Sequence, residues 1–247
     1  MLKISYFISL NSNNFMTFAT NFEKFHNIRL YWRWGIARKN YIIKDKSTTF
    51  IDEKVKIGEN VIIYENNRIE GNSVIGDNVT IYPNSYISNT IIGKGTKIYS
   101  SFIEKSVIGS CSSIGPYAHL RTGSKIGDFV RVGNFCEIKN ADIGDRTKVS
   151  HLAYVGDAVI GKNCNIGCGV IFVNYNGKTK QKTTVEDGAF IGSNVNLIAP
   201  VMVKSGAYVC AGTTVDKDIE ADDFVIGRVR QESKPQRAKA YLNKNND

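Results

Sequence analysis

The sequence is poor in the residues that staple small secreted folds or bind structural metals. It has five cysteines in 247 residues, an odd number, with no CxxC pair and no Cys/His cluster. That pattern indicates neither a disulfide framework nor a structural zinc, and it fits a reducing cytoplasm. No apolar stretch is long enough to span a membrane. The segment Ile4 to Leu10 is interrupted by serines and short for a secretory signal. Uniform basicity is also lacking, although the net charge is +9. Residues 1–47 hold eight Lys/Arg against two acids and residues 228–247 six against two, whereas 48–227 hold 18 against 19. Basic ends on a neutral body argue against nucleic acid and for anionic small ligands.

Both ordinary hydrophobic periods are missing too. Neither the 3.6 of an amphipathic helix nor the 2 of a half-buried strand fits the chain. Instead an aliphatic recurs every fifth or sixth residue from Ile51 to Val215, very often followed by glycine, as in Ile57, Ile75, Ile92, Ile108 and Ile126. Three residues after it, Asn or Gly recurs (Asn60, Asn78, Gly95, Gly123, Asn163). Four residues after it stands a small or β-branched residue (Val61, Val79, Thr96, Ser124, Cys136, Cys164). Asn and Gly tolerate the left-handed backbone conformation, so one bend recurs per unit. A short fixed period over some 165 residues marks a solenoid.

This pattern resembles the hexapeptide repeat, which implies an all-β solenoid, the left-handed parallel β-helix, with three units to a coil of about 18 residues. The 28 inward aliphatics then make about nine coils. Residues 48–220 are assigned to this prism, with a loop at 173–184 where the repeat breaks between Phe172 and Val185. Residues 1–47 are expected to be a cap or linker, with an aromatic, basic helix over 15–40 covering the open end. Residues 221–247 are expected to form a C-terminal arm. A carbonic anhydrase of this fold needs three histidine ligands, and only His119 and His151 lie in the prism.

Counting by coils stacks outward residues into columns. His151 stands above Asn134 and below Cys168, Ser193 and Ala211, so one histidine lies at the foot of a column of small residues. Arg121 and Lys139 form a second column, two cations one strand spacing apart, suited to a phosphate. His119, Glu137 and Tyr154 form a third. The loop of residues 174–180 emerges on the Arg121/Lys139 face, and insertions in solenoids commonly mark a binding face. These columns are expected to gather around one corner.

At these residues the chain resembles a specific family, the acetyltransferase half of the bifunctional bacterial N-acetylglucosamine-1-phosphate uridyltransferase/glucosamine-1-phosphate acetyltransferase. The segments IGPYAHLRTGSKIG, VGNFCEIKNADIG, KVSHLAYVGDAVIGKNCNIGCG, NYNGKTKQKT, FIGSN, LIAPV and IGRVRQ carry it. HLAYVGDA followed by the NYNG loop is the most specific element.

The resemblance implies His151 as catalytic base. It implies Arg121, Lys139, Tyr154, Asn165 and Lys180 as the amino-sugar phosphate site, and Asn174, Tyr175, Cys168, Ser193, Ala211 and Arg228 as acetyl-CoA contacts. It further implies a homotrimer with shared sites, glucosamine 1-phosphate as acceptor, no metal for acetyl transfer, and a product used for UDP-N-acetylglucosamine and the cell envelope. Cys168 stands where the family usually has alanine, and Asn176 where it usually has aspartate. The Gly-rich uridyltransferase segment does not occur, so no uridyltransferase activity is expected of these residues, and whether a separate uridyltransferase is a partner stays open. Alternatives are a trimeric hexapeptide acyltransferase for another amino sugar or a nucleotide-linked sugar, and a non-catalytic remnant or scaffold of the bifunctional enzyme.

Overall fold

The computed structural model describes residues 40–238. All but the last residue of the expected cap at 15–40, and residues 239–247 of the expected arm, lie outside the described residues.

Between these limits the chain winds as a parallel β-solenoid with three faces. All 28 strands are short, and every strand pairing is parallel. Face one stacks eleven strands, from Tyr41–Ile43 at one end to Phe224–Val225 at the other. Eleven strands make ten coil-to-coil steps, against the nine coils expected from the aliphatic series. The difference comes from the terminal strands at Tyr41–Ile43 and Phe224–Val225, which lie beyond Ile51 and Val215. At a spacing of about 4.8 Å the stack is roughly 48 Å long.

The aliphatic series is the core. Ile98, Ile114, Val132 and Val149 stack directly on face one. Ile87, Ile103, Leu120, Ile138 and Val155 do so on face two. All nine side chains are fully buried. Burial of each such side chain is worth about 1.5–3 kcal/mol against exposure. Single strands of two or three residues could not hold together alone. The stack holds because each coil supplies the next with both an apolar column and a hydrogen-bonded ladder.

Corners are made by left-handed residues, Asn60 and Asn78 at φ 56° among them. At the corner between faces two and three, Glu137–Ile143 and Tyr154–Ile160 run through without a break and join those faces into one sheet. The corner between faces three and one is closed by aspartates. Asp77, Asp128, Asp145 and Asp187 each accept a hydrogen bond from a backbone N–H one coil below, those of Glu59, Ser110, Asp128 and Lys162 at 2.5–2.9 Å.

Candidate active site

The ladder brings the expected cations together on face two. Leu120 pairs with Ile138, so Arg121 and Lys139 follow their aliphatics on adjacent coils, and His119, Glu137 and Tyr154 stack in register beside them. Arg121 is held by Glu137 at 2.7 Å, and that carboxylate pushes the guanidinium pKa further up. Lys180, from the insertion, reaches Lys139. Its ammonium, then partial desolvation and the charge of Arg121, pushes Lys139 below the usual lysine range. Three cations converge, and two of them repel each other in the absence of an anion.

The insertion itself is ordered by its own turn. Tyr175 and Lys180 form an antiparallel bridge, and the N–H of Gln181 donates to the Asn174 carbonyl at 2.8 Å. Asn176 Oδ1 accepts from the N–H groups of Lys178 and Thr179 at 2.9 and 2.8 Å. An aspartate would accept the same two bonds, so the departure to Asn176 preserves the turn. At the loop's root Asn174 is buried, and its Nδ2 donates to Asp157 Oδ2 at 2.5 Å and faces Tyr154 Oη at 3.5 Å. Its side chain is thus engaged within the protein rather than turned to solvent. Gly156 is required between these groups, since a Cβ there would lie 2.5 Å from Tyr154 Oη and 2.8 Å from Asn174 Nδ2. Asp157 and Gly156 were not singled out from the sequence. Their only sequence signal is the Gly-Asp pair, which also occurs at plain structural corners such as Gly76-Asp77.

His151 ends the strand Lys148–His151, exposed at the corner between faces one and two. Its Nδ1 lies 2.6 Å from Asn134 Oδ1. An amide oxygen can only accept, so this contact fixes the proton on Nδ1 and leaves Nε2 as the basic nitrogen.

Above His151 the small residues continue along the same corner. The N–H groups of Gly169, Asn194 and Gly212 donate to the carbonyls of His151, Cys168 and Ser193, at 3.3, 2.7 and 2.8 Å. Among the described residues the N–H groups of Cys168, Ser193 and Ala211 have no protein acceptor. At the aspartate-closed corner the N–H groups of Glu59, Ser110, Asp128 and Lys162 are met by carboxylates, whereas along this edge three successive donors stay open. This line fits an extended, amide-bearing ligand whose carbonyls would accept from these solvent-facing donors. Arg228 folds back to donate to the Ala211 carbonyl at 2.9 Å, bringing the arm onto the same line.

The arrangement differs from the expectation of one corner. Arg121, Lys139 and Lys180 lie toward the far edge of face two, while His151 stands at its near edge, so the face itself separates base from cations. Asn165 lies elsewhere, on face one, paired with Lys148 and Phe190. A single chain does not bring Asn165 to the face of Tyr154. The near corner also carries Tyr117, Phe135 and Leu152, exposed and apolar at φ 50–56°. Among the described residues no group of three His, Cys, Asp or Glu side chains could hold a metal ion, and no helix is long and apolar enough to cross a membrane.

A family model described as the GMPPB C-terminal domain matches residues 50–132 and again 102–225. The chain is 47% identical over 197 residues to the bifunctional protein GlmU of Shouchella clausii (strain KSM-K16), covering 80% of this chain and 43% of that one. It is 51% identical over 206 residues to the bifunctional protein GlmU of Geobacillus sp. (strain WCH70), covering 82% and 45%. The chain therefore spans less than half the length of the curated relatives it matches. Among solved structures, a UDP-N-acetylglucosamine acyltransferase from Campylobacter jejuni matches with a TM-score of 0.53 and 19% identity, over 73% of this chain and 69% of that one. That likeness speaks for the fold alone, the left-handed parallel β-helix.

Proposed function

Because the chain belongs to the GMPPB C-terminal domain family and corresponds to the C-terminal acetyltransferase half of the GlmU proteins, we propose that it transfers acetyl from acetyl-CoA to the amine of glucosamine 1-phosphate. The observation that carries this reading is the His151–Asn134 contact beside the line of open N–H donors.

In this reading Nε2 of His151 takes a proton from the acceptor's ammonium or from the attacking amine. The nitrogen lone pair then adds to the thioester carbon. The N–H groups of Gly167 and Gly169 already serve Ile191 and His151, so the Cys168 N–H is the donor left for the developing oxyanion. Collapse expels the CoA thiolate, which takes up the proton, and leaves the amide. Arg121, Lys139 and Lys180 hold the phosphate, with Tyr154 between them and the base. Ser193, Ala211 and Arg228 lie along the donor's path, roughly 15 Å at about 4.8 Å per coil. Asn174 contributes by rooting the loop that carries Tyr175.

The acceptor site is incomplete in one chain, since Asn165 stands on another face. The exposed ridge of Tyr117, Phe135 and Leu152 supports burial against further copies, and we assign a homotrimer with shared sites. Five unpaired cysteines support a cytoplasmic location. The product would serve UDP-N-acetylglucosamine synthesis once a uridyltransferase acts on it.

The experiment is thiol release from acetyl-CoA with glucosamine 1-phosphate, compared with other amino sugars and nucleotide-linked sugars. His151→Ala is expected to lose roughly 10²–10⁴-fold in kcat. Unchanged turnover in that variant would overturn the assignment.

A further inference from the structure

Acetyl transfer as described leaves unused a second pair of cations on the other side of His151. Arg131 and Lys148 stand in register on neighbouring coils of face one, and Asn165 follows Lys148 in the same column. Both cations are exposed. Like charges directly opposite on adjacent strands repel. Some lysines elsewhere on the prism have an acid at hand, Lys125 with Asp142 at 3.4 Å and Lys162 with Asp145 at 3.6 Å. Among the described residues no carboxylate pairs with Arg131 or Lys148.

The surface beside this pair is formed by small residues. Two residues further along each strand come Gly133, Ser150 and Gly167. A Cβ on Gly133 would lie 1.9 Å from the Ser150 carbonyl oxygen, and one on Gly167 2.7 Å from the Ser193 nitrogen. At these two glycines the coils approach too closely for a side chain. Beyond the floor the corner column rises again, with Asn134 and His151. Face one therefore has a shallow trough, cations on one rim and the candidate base on the other. Three residues of strand separate the rims, about 10 Å at roughly 3.3 Å per residue.

We propose that Arg131 and Lys148 form a second phosphate-binding clamp, which takes the phosphate of a phosphorylated sugar or nucleotide lying across the trough. Two cations one strand spacing apart, one a planar fork and one a point charge, suit the spread oxygens of a phosphate. The anion removes the like-charge repulsion, which a bare trough leaves uncompensated. The position of the reacting amine near His151 rests on the acetyl-transfer reading; the clamp itself does not.

Calorimetric titration of the full chain at low salt, without acetyl-CoA, tests this. Inorganic phosphate is the first probe, in an Arg121→Ala/Lys139→Ala background that disables the clamp on face two. Phosphate is expected to bind that variant still, and to weaken at least tenfold when Arg131→Gln and Lys148→Gln are added. Absence of binding in the background variant, or binding indifferent to the added changes, overturns the proposal. Glucosamine 1-phosphate and UDP, titrated into wild type and Arg131→Gln/Lys148→Gln, separate the sources. The ligand whose affinity falls is the one the clamp reads, and no fall for either also overturns it. Thermal melting of each variant checks that the prism is intact. Because no turnover is measured, failure of acetyl transfer leaves this result standing.

Discussion

Asp157 ties the insertion to the prism through Asn174, whose Nδ2 donates to Asp157 Oδ2 at 2.5 Å, while Asp157 Oδ1 accepts from Asn140 Nδ2 at 2.6 Å. Both carboxylate oxygens are thus occupied at the corner where the loop departs. The pair sets where Lys180 arrives beside Lys139.

Asp157→Ala leaves the buried Asn174 amide only its long 3.5 Å contact with Tyr154 Oη, and an unmet buried donor costs about 1–3 kcal/mol. The loop root relaxes instead, and the third cation loses its position. The expected outcome is a rise of roughly tenfold or more in KM for glucosamine 1-phosphate, equivalent to about 1.4 kcal/mol. KM for acetyl-CoA should stay within about twofold, since the line of open donors lies on another edge. Steady-state thiol release at varied acceptor reads this split, and equal changes in both KM values would count against a role confined to the acceptor.

The Lys139–Lys180 contact has a protonic consequence. Lys180 lowers the pKa of Lys139, so Lys139 loses its proton at a lower pH than an ordinary lysine. In the window between its folded and ordinary values the unfolded chain binds more protons. The repulsion therefore opposes folding below the folded pKa and is relieved as pH rises through it. A bound phosphate reverses the shift by favouring the charged form. Phosphate binding should thus take up protons at alkaline pH, and affinity should fall as pH climbs. Calorimetry in buffers of different ionisation enthalpy measures the uptake, and Lys180→Met should abolish most of it.

Counting residues was enough to align Leu120 with Ile138, Glu137 with Tyr154 and Asn134 with His151, because in a solenoid register follows directly from unit length. The end strands were not legible. Around Ile43 and Val225 the Gly and Asn markers of the repeat are lost, although the ladder continues. The role of Asp157 was hidden for the opposite reason: Gly-Asp recurs as an ordinary corner, and only the loop three coil positions later makes this one different. Nor could counting show which backbone donors stay open. That depends on whether the next coil offers a carboxylate, as Asp187 does to Lys162 and nothing among the described residues does to Ser193.

Thr183 offers a test of the core rather than the site. It is fully buried where the chain re-enters face three after the loop, between Ala158 and Val201, and its hydroxyl has no hydrogen-bond partner among the described residues. An unmet buried hydroxyl costs about 1–3 kcal/mol. Thr183→Val removes the polar atom at nearly constant volume and keeps the backbone ladder. A Tm increase of roughly 2–4 °C per kcal/mol recovered is expected for a chain of this size. A lower Tm would show that the hydroxyl has a use the fold does not reveal.

Tyr117 and Phe135 test assembly. Their rings stack at 5.5 Å on the corner below Leu152, and all three residues are more than half exposed. Each also adopts the left-handed conformation, at φ 56°, 56° and 50°, where most other coils use Asn or Gly, such as Asn66, Asn84, Gly169 and Asn194. For a side chain with a Cβ that conformation costs about 1–2 kcal/mol per residue. A lone prism gains nothing from strained, solvated rings, whereas a second copy covering the ridge would recover their apolar area. Tyr117→Asn/Phe135→Asn should therefore yield a folded monomer by sedimentation, with acetyl transfer largely lost because Asn165 no longer reaches a neighbouring face two. If the doubly substituted chain still sediments as the wild type does, the ridge is not the contact, and the copies must meet through another surface.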